Sequence, residues 1–327
     1  MIILYKKGFT MRRFTILKNL RTILILVILL GFSSIDLSAQ QDPHYTQYMY
    51  NMNVINPAYA GSRGTLSIGI LGRTQWVGLD GAPKTLTGAI HAPVGKNLGA
   101  GFSAIIDEVG PVKEQNIYAD ISYTVSLSEE GRLAFGLKGG VTLFNTNFTN
   151  IILPQTPRGA DEFFDDNINR TFPNFGAGVY YYNEKFYIGL SAPNFLETLH
   201  FEKENNTITR AAEETHYFLT SGYVFDLSQS TKFKPSVMLK GVQGSPLSVD
   251  VSANFLFNDR LEVGANYRLD DSVSLLANFG VTPSMRIGYA YDLTTTNLGN
   301  YNSGTHEAFL LWDIDFSKKN LKSPRFF

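Results

Sequence analysis

Over most of this chain apolar and polar residues exchange places at every position, and no other feature restricts its fold as much. Val249, Val251, Ala253, Phe255 and Phe257 alternate with Ser248, Asp250, Ser252, Asn254 and Leu256. Leu261, Val263, Ala265, Tyr267 and Leu269 do so with Glu262, Gly264, Asn266, Arg268 and Asp270, and Ile117 to Leu127 repeat the pattern against Asn116 to Ser126. A period of two places the sets on opposite faces of a strand. The segments run about 9 to 13 residues, longer than a soluble strand of ~5–6 and close to the ~9–11 of a tilted membrane strand. About fourteen of them begin near Leu66, Thr85, Leu98, Gln115, Leu133, Asn174, Phe186, His216, Phe233, Leu247, Leu261, Val273, Met285 and Glu307.

The connections differ in character. Val94–Asn97, Glu129–Gly131, Asn183–Lys185, Asn258–Arg260 and Thr282–Ser284 are tight turns, whereas Thr146–Pro173 and Asn194–Glu214 are long and polar. With the amino end starting in the periplasm, every one of these turns falls on the periplasmic side and both long loops lie outside, the asymmetry of an outer-membrane barrel. Two-sheet sandwiches alternate as well. The nearly pure apolar face of so many long strands, the export signal described next and the lack of a break into sandwich-sized units favour the barrel.

Arg12, Arg13, Lys18 and Arg21 precede the apolar run Ile23–Phe32, and Leu37-Ser38-Ala39-Gln40 offers a small residue for cleavage. A run of about ten residues is too short for a bilayer core that needs ~20, so the segment reads as a signal peptide cleaved near Ala39 rather than an anchor. Met11 would give a more ordinary signal than Met1. No later stretch is apolar enough for a membrane helix, so the bilayer is reached by strands. The expected organisation is a signal peptide over 1–39, a plug or strap over 40–64, a barrel over 65–316 and a basic periplasmic tail over 317–327.

Composition removes several classes of function. A formal net charge of -1 gives no basic face for nucleic acid. With 0 Cys there is no disulfide, thiolate nucleophile or thiolate metal site. The 17 Tyr, 24 Phe and 29 Gly suit a barrel with aromatic girdles. His44, His91, His200, His216 and His306 lack metal-ligand spacing, although His200 and His216 flank one loop. Asp161-Glu162 and Asp165-Asp166 read as a solvated acidic loop rather than a calcium site. No G-x-S-x-G, phosphate loop or dinucleotide fingerprint is present, so no enzyme and no cofactor is expected. Asp120, Arg132, Lys138, Asp250, Glu262, Arg268, Arg286, Asp292, Asp313 and Asp315 fall at inward positions and read as solvated lumen charges of mixed sign.

The stretch before the first strand does not alternate. In Asn56-Pro57-Ala58-Tyr59-Ala60-Gly61, Asn56 suits a cap, Pro57 the first helical position and Gly61 a left-handed exit. Tyr45, Tyr48, Met49, Tyr50 and Met52 are too apolar for a free tail, so the segment belongs in the lumen as a plug or beneath the barrel as an amphipathic strap.

These residues also carry a resemblance. DPHYTQYMYNMNVINPAYAG, then Arg73-Thr74-Gln75-Trp76-Val77-Gly78-Leu79-Asp80-Gly81-Ala82-Pro83-Lys84-Thr85, and the ending from Gly304-Thr305-His306-Glu307 to Ser323-Pro324-Arg325-Phe326-Phe327 are similar to the PorP/SprF family across the mature chain. Met52-Asn53 departs from the Pro-Leu expected after Asn51. The resemblance implies a non-enzymatic outer-membrane component of the type IX secretion system. It would support secretion and surface attachment of specific cargo proteins, such as adhesins in gliding bacteria. The implied partners are the secretion machinery, a secreted cargo protein and outer-membrane lipid. The family supplies no established catalytic residues. Only motif positions carry over: Asn56, Pro57, Tyr59, Gly61, Gln75, Trp76, Gly78, Pro83, Pro324 and Arg325, expected to hold the plug and a periplasmic docking surface. The competing reading is an outer-membrane channel for small or hydrophobic solutes with the plug as its hatch. A lipid-modifying barrel enzyme is disfavoured because no Ser/His/Asp set assembles at one rim.

Overall fold

The computed structural model describes residues 43–147, 167–195, 198–199, 212–213 and 215–316. The segment 1–39 read as a signal peptide, the acidic pairs at Asp161-Glu162 and Asp165-Asp166, His200 and the segment 317–327 with Pro324 and Arg325 lie outside the described residues.

The alternating segments are strands. In chain order they are β1 (Leu66–Thr74), β2 (Lys84–Pro93), β3 (Leu98–Val109), β4 (Val112–Ser126) and β5 (Arg132–Thr146). They continue with β6 (Asn169–Tyr182), β7 (Phe186–Ala192), β8 (His216–Tyr223), β9 (Thr231–Val242) and β10 (Ser248–Phe257). The last four are β11 (Leu261–Arg268), β12 (Ser272–Gly280), β13 (Met285–Thr294) and β14 (Thr305–Ile314). Each strand pairs antiparallel with its neighbours in sequence, and β1 pairs β14 from Leu66↔Ile314 to Thr74↔His306, which closes the sheet. Closure leaves no free edge, as spanning a bilayer with strands requires. Phe225–Asp226 adds a short extra strand against β9. The chain is thus a closed antiparallel β-barrel of fourteen strands, and no helix among the described residues is long and apolar enough to cross a membrane.

The two faces follow the sequence period. Outward positions expose Ile70, Leu86, Phe102, Ile121, Phe135, Leu137 and Leu275, an apolar belt suited to lipid tails. Tyr181, Phe186, Tyr223, Phe225, Phe233 and Phe255 continue it as neighbouring rings at the barrel end that carries the tight turns. That end is called here the turn end. The opposite, loop end holds the connections after β1, β5, β7 and β13, although β3 and β4 meet there through Gly110-Pro111 alone.

Inward positions are polar but not wet. Asp250, Glu262, Asn254 and Ser274 are each 0% exposed, and Asp120, Lys138, Arg268 and Asp292 are buried too. The expectation of solvated lumen charges is therefore corrected for these residues, since the chain's own inner segment occupies the space where water would stand. Arg132 keeps the expected exposure because it sits at the turn-end rim.

Candidate functional site

Residues 43–62 contain no Asp, Glu, Lys or Arg, and they mix bulky apolar side chains with amides. Lacking a strand period, they fold as three short turns: Tyr48–Tyr50, Met52–Ile55 and Pro57–Tyr59. Asn56 accepts the Ala58 N–H at 2.9 Å, Pro57 follows it at the first position, and Gly61 exits at φ 75°. Tyr45, Tyr48, Met49, Tyr50, Met52, Ile55, Ala58 and Tyr59 join wall residues Leu71, Ala134, Tyr180, Tyr182, Tyr187, Phe218, Met238, Phe309 and Leu311 in one buried cluster. Fully burying a large apolar side chain is worth about 1.5–3 kcal/mol, so this cluster gives the segment most of its hold.

The segment descends from the loop end to the turn end, and wall carboxylates grip it along the way. Glu307 accepts the backbone N–H groups of Thr46 and Gln47 at 2.9 and 2.7 Å. Asp292 accepts the Thr46 hydroxyl, and Glu262 accepts the Tyr50 hydroxyl. Asp120 accepts the Asn53 amide at 3.1 Å, and Asp313 takes Arg63 at the foot of the segment. Each of the first four also meets a cation of the wall itself. Arg73 lies 2.8 Å from Asp292 and 2.9 Å from Glu307, Lys138 2.8 Å from Asp120, and Arg286 3.4 Å from Glu262. Asp250 is answered by Arg268 at 2.9 Å. His44, buried near Lys240 and Arg268, is held well below the usual histidine range, first by desolvation and then by those cations.

The capped turn rests on a wall stripped of side chains. A Cβ on Gly99, Gly136 or Gly178 would run into Ala60, into Pro57 and Ala58, or into Asn56, respectively. All three glycines stand at inward positions of β3, β5 and β6; at Gly99 and Gly136 the backbones of wall and segment touch, and at Gly178 the Asn56 side chain lies against the wall. Side chains lock that contact. Ser122 donates to the Ala60 carbonyl and Ser191 to the Ile55 carbonyl, both at 2.7 Å. Asn56 donates to the Val179 carbonyl at 3.2 Å, the Gly61 N–H meets His91 Nδ1 at 3.2 Å, and Tyr59 packs edge-on against His91 and Tyr180.

Of the motif positions read from the sequence, Asn56, Pro57, Tyr59 and Gly61 come together in this cradle. Gln75, Trp76, Gly78 and Pro83 sit in the β1–β2 connection at the loop end, remote from the turn end. There Gln75 N–H donates to the Pro83 carbonyl, Val77 N–H to the Gly304 carbonyl and Ser303 N–H to the Val77 carbonyl at 2.7–2.9 Å. Trp76 is held at φ 45°, a left-handed backbone unusual for a bulky residue, and its N–H donates to Thr305 Oγ1. The sequence reading missed the glycine cradle and the carboxylate grips. The signal for the first was glycine recurring at inward positions of β3, β5 and β6; the second left no signal, because any lumen charge looks alike along the chain.

No group of three His, Cys, Asp or Glu among the described residues is arranged to hold a metal. What the site does chemically is bind chain: it pairs backbone and neutral side chains of a peptide segment inside a charge-balanced tube.

A search of curated proteins gives no match to the chain. Similar solved structures include the monoaromatic hydrocarbon channel CymD, at 12% identity and TM-score 0.48 over 83% of this chain and 93% of that one. A Pseudomonas aeruginosa FadL homologue has 9% identity and TM-score 0.44, covering 85% of this chain and 96% of its own. The Acinetobacter baumannii outer membrane protein Omp33 has 9% identity and TM-score 0.44, covering 77% and 99%. The profile of the type IX secretion system membrane protein family PorP/SprF matches residues 37–312, which include the inner segment, the Gln75–Pro83 loop and nearly all of the barrel. The protein belongs to the PorP/SprF family and is an outer-membrane β-barrel component of the type IX secretion system.

Proposed function

We propose that this barrel serves the secretion and surface attachment of particular cargo proteins, gliding adhesins among them, as a non-enzymatic partner or anchor. The observation that carries the reading is the filled lumen. The barrel's inward charges are covered by its own chain, so the molecule is organised to hold protein rather than to pass solutes. In this reading the signal peptide over 1–39 is removed near Ala39 and the turn end faces the periplasm. The tail over 317–327, with Pro324 and Arg325, meets the secretion machinery there, while lipid surrounds the apolar belt. The rim loop with Gln75, Trp76, Gly78 and Pro83, pinned to the β13–β14 connection, is the rigid outward surface for cargo.

The test is deletion of the gene, followed by mass spectrometry of the cell-surface proteome against the parent. Loss of one or a few large surface proteins, with other secretion intact, supports a dedicated cargo partner. Loss of all type IX cargo marks a core component instead. An unchanged surface overturns the reading and leaves the solute channel.

A further inference from the structure

The lumen has two properties that need not occur together. It is crowded with buried charge, and the segment that fills it has almost none. Thr46, Gln47, Tyr50 and Asn53 all donate to wall carboxylates, yet those carboxylates keep wall cations as well: Arg73 for Asp292 and Glu307, Lys138 for Asp120, Arg286 for Glu262. Glu262 further accepts from Asn254 at 2.8 Å and Asn278 at 3.2 Å. Arg63, the first charged residue after the segment, sits beside β1 and pairs Asp313 of β14 across the barrel seam. Removing residues 43–62 would therefore break no ion pair of the wall. Stranding a buried carboxylate is among the costliest events in a protein, and the wall cations guard against it. Two wall lysines also touch the segment: Lys240 lies 3.2 Å from His44 Nε2 and Lys234 faces the Tyr50 ring.

The wall is also selective in shape. The glycines at 99 and 136 accept backbone and Gly178 accepts the Asn56 side chain where the segment's turn presses against them, and Ser122, Ser191 and the Val179 carbonyl read that backbone and the same amide. Phe309 offers a face to Tyr50, stacked at 4.3 Å. A wall that needed only filling would not require close backbone contact at fixed depths.

We propose that the lumen is a peptide-binding site for an uncharged segment rich in tyrosine and asparagine, that residues 43–62 are its ligand in cis, and that a peptide of the same chemistry takes their place once they are displaced. Binding rests on neutral donors meeting carboxylates that already have wall cations, so exchange leaves none of those carboxylates without one, and the incoming peptide also supplies a neutral acceptor to Lys240 as His44 does. The proposal stands apart from the secretion reading, because it concerns only what the lumen binds.

The full chain carrying Thr46→Val, Tyr50→Phe and Asn53→Ala weakens the ligand and leaves the wall intact. In planar bilayers the unaltered protein should be silent, while the triple variant opens intermittently. Loss of the buried bonds to Asp292, Glu262 and Asp120, and of the one from Arg73 to Thr46 Oγ1, raises the open fraction by roughly a hundredfold to a thousandfold. A synthetic peptide of residues 43–62 added to the triple variant should close it in a saturable way, and a scrambled peptide of the same composition should not. In parallel, a variant lacking 43–62 is refolded with each peptide, and recovery of the compact band on unheated gels is measured. Recovery with the native peptide alone supports the site. A triple variant that stays silent and takes up no fluorescent native peptide overturns it, as does equal action by the scrambled peptide in either assay.

Discussion

Gly136→Ala tests the contact on which the inner segment turns. A Cβ built there stands 2.5 Å from Ala58 Cα, and closer still to Ala58 N and the Pro57 carbonyl carbon. Carbon atoms rest near ~3.5–4.0 Å, so wall or segment must give by about an ångström or more. Neither moves easily. The β5 backbone is paired on both sides, to β4 through Ser122↔Gly136 and to β6 through Gly136↔Gly178. The segment is tied by the Ser191, Asn56 and Ser122 hydrogen bonds within a few residues of the clash. Overpacking costs about 1–3 kcal/mol, and losing two of those bonds adds about 1 kcal/mol each, so the variant should lose about 3–5 kcal/mol.

Urea unfolding in lipid vesicles, followed by the shift between compact and unfolded bands on unheated gels, measures that loss. Hydrogen exchange of residues 54–61 then shows whether the segment leaves the wall. Gly88→Ala is the matched control, because nothing lies within 4 Å of a Cβ at that outward position. If Gly136→Ala unfolds with Gly88→Ala and the amides of 54–61 stay protected, the cradle is not what holds the segment.

Other perturbations separate the remaining parts of the account. Lys138→Met leaves Asp120 buried with the Asn53 amide but no cation, and the same urea assay should show a loss of about 3–5 kcal/mol. Leu275→Arg puts a charge at the middle of β12 on a residue 67% exposed to the surroundings, which should cost about 2–4 kcal/mol in a bilayer and far less in a loose detergent micelle. Asn56→Ala removes both the cap on Ala58 and the bond to the Val179 carbonyl, so Ala58 should exchange its amide faster and stability should fall by about 1–2 kcal/mol.

The barrel was legible because its physics is local. A strand with lipid on one side and lumen on the other must alternate, and Val249 to Phe257 state this without any knowledge of β9 or β11. Strand boundaries moved by a few residues where the period weakens. β4 begins at Val112 rather than near Gln115 because Lys113 and Glu114 continue the ladder with polar side chains on both faces at the rim. The capped turn at Asn56 was legible for the same reason, since cap, proline and glycine act within six positions. What stayed hidden was pairing between neighbouring strands of the wall, where Asp120 faces Lys138 and Arg73 faces Glu307. Asp120 and Lys138 are 18 positions apart, Arg73 and Glu307 are 234 apart, and nothing along the chain says that these charges meet.

The same hidden pairing explains why the sequence alone points to a wet lumen. Mixed charge at inward positions is what a water-filled pore shows, and the segment that excludes the water has an ordinary look: tyrosines, asparagines and two methionines. The two facts fit once the wall's carboxylates are seen to be paired by the wall's own cations. A tube whose carboxylates needed cations from its filling would demand lysine or arginine between residues 43 and 62, and there is none. A tube built as an open pore would have no reason to present bare glycine backbone at the depths where Asn56, Ala58 and Ala60 sit. Charge neutrality of the filling and closeness of the backbone fit together in one case: the wall folds as a self-consistent shell and recognises a neutral peptide inside it.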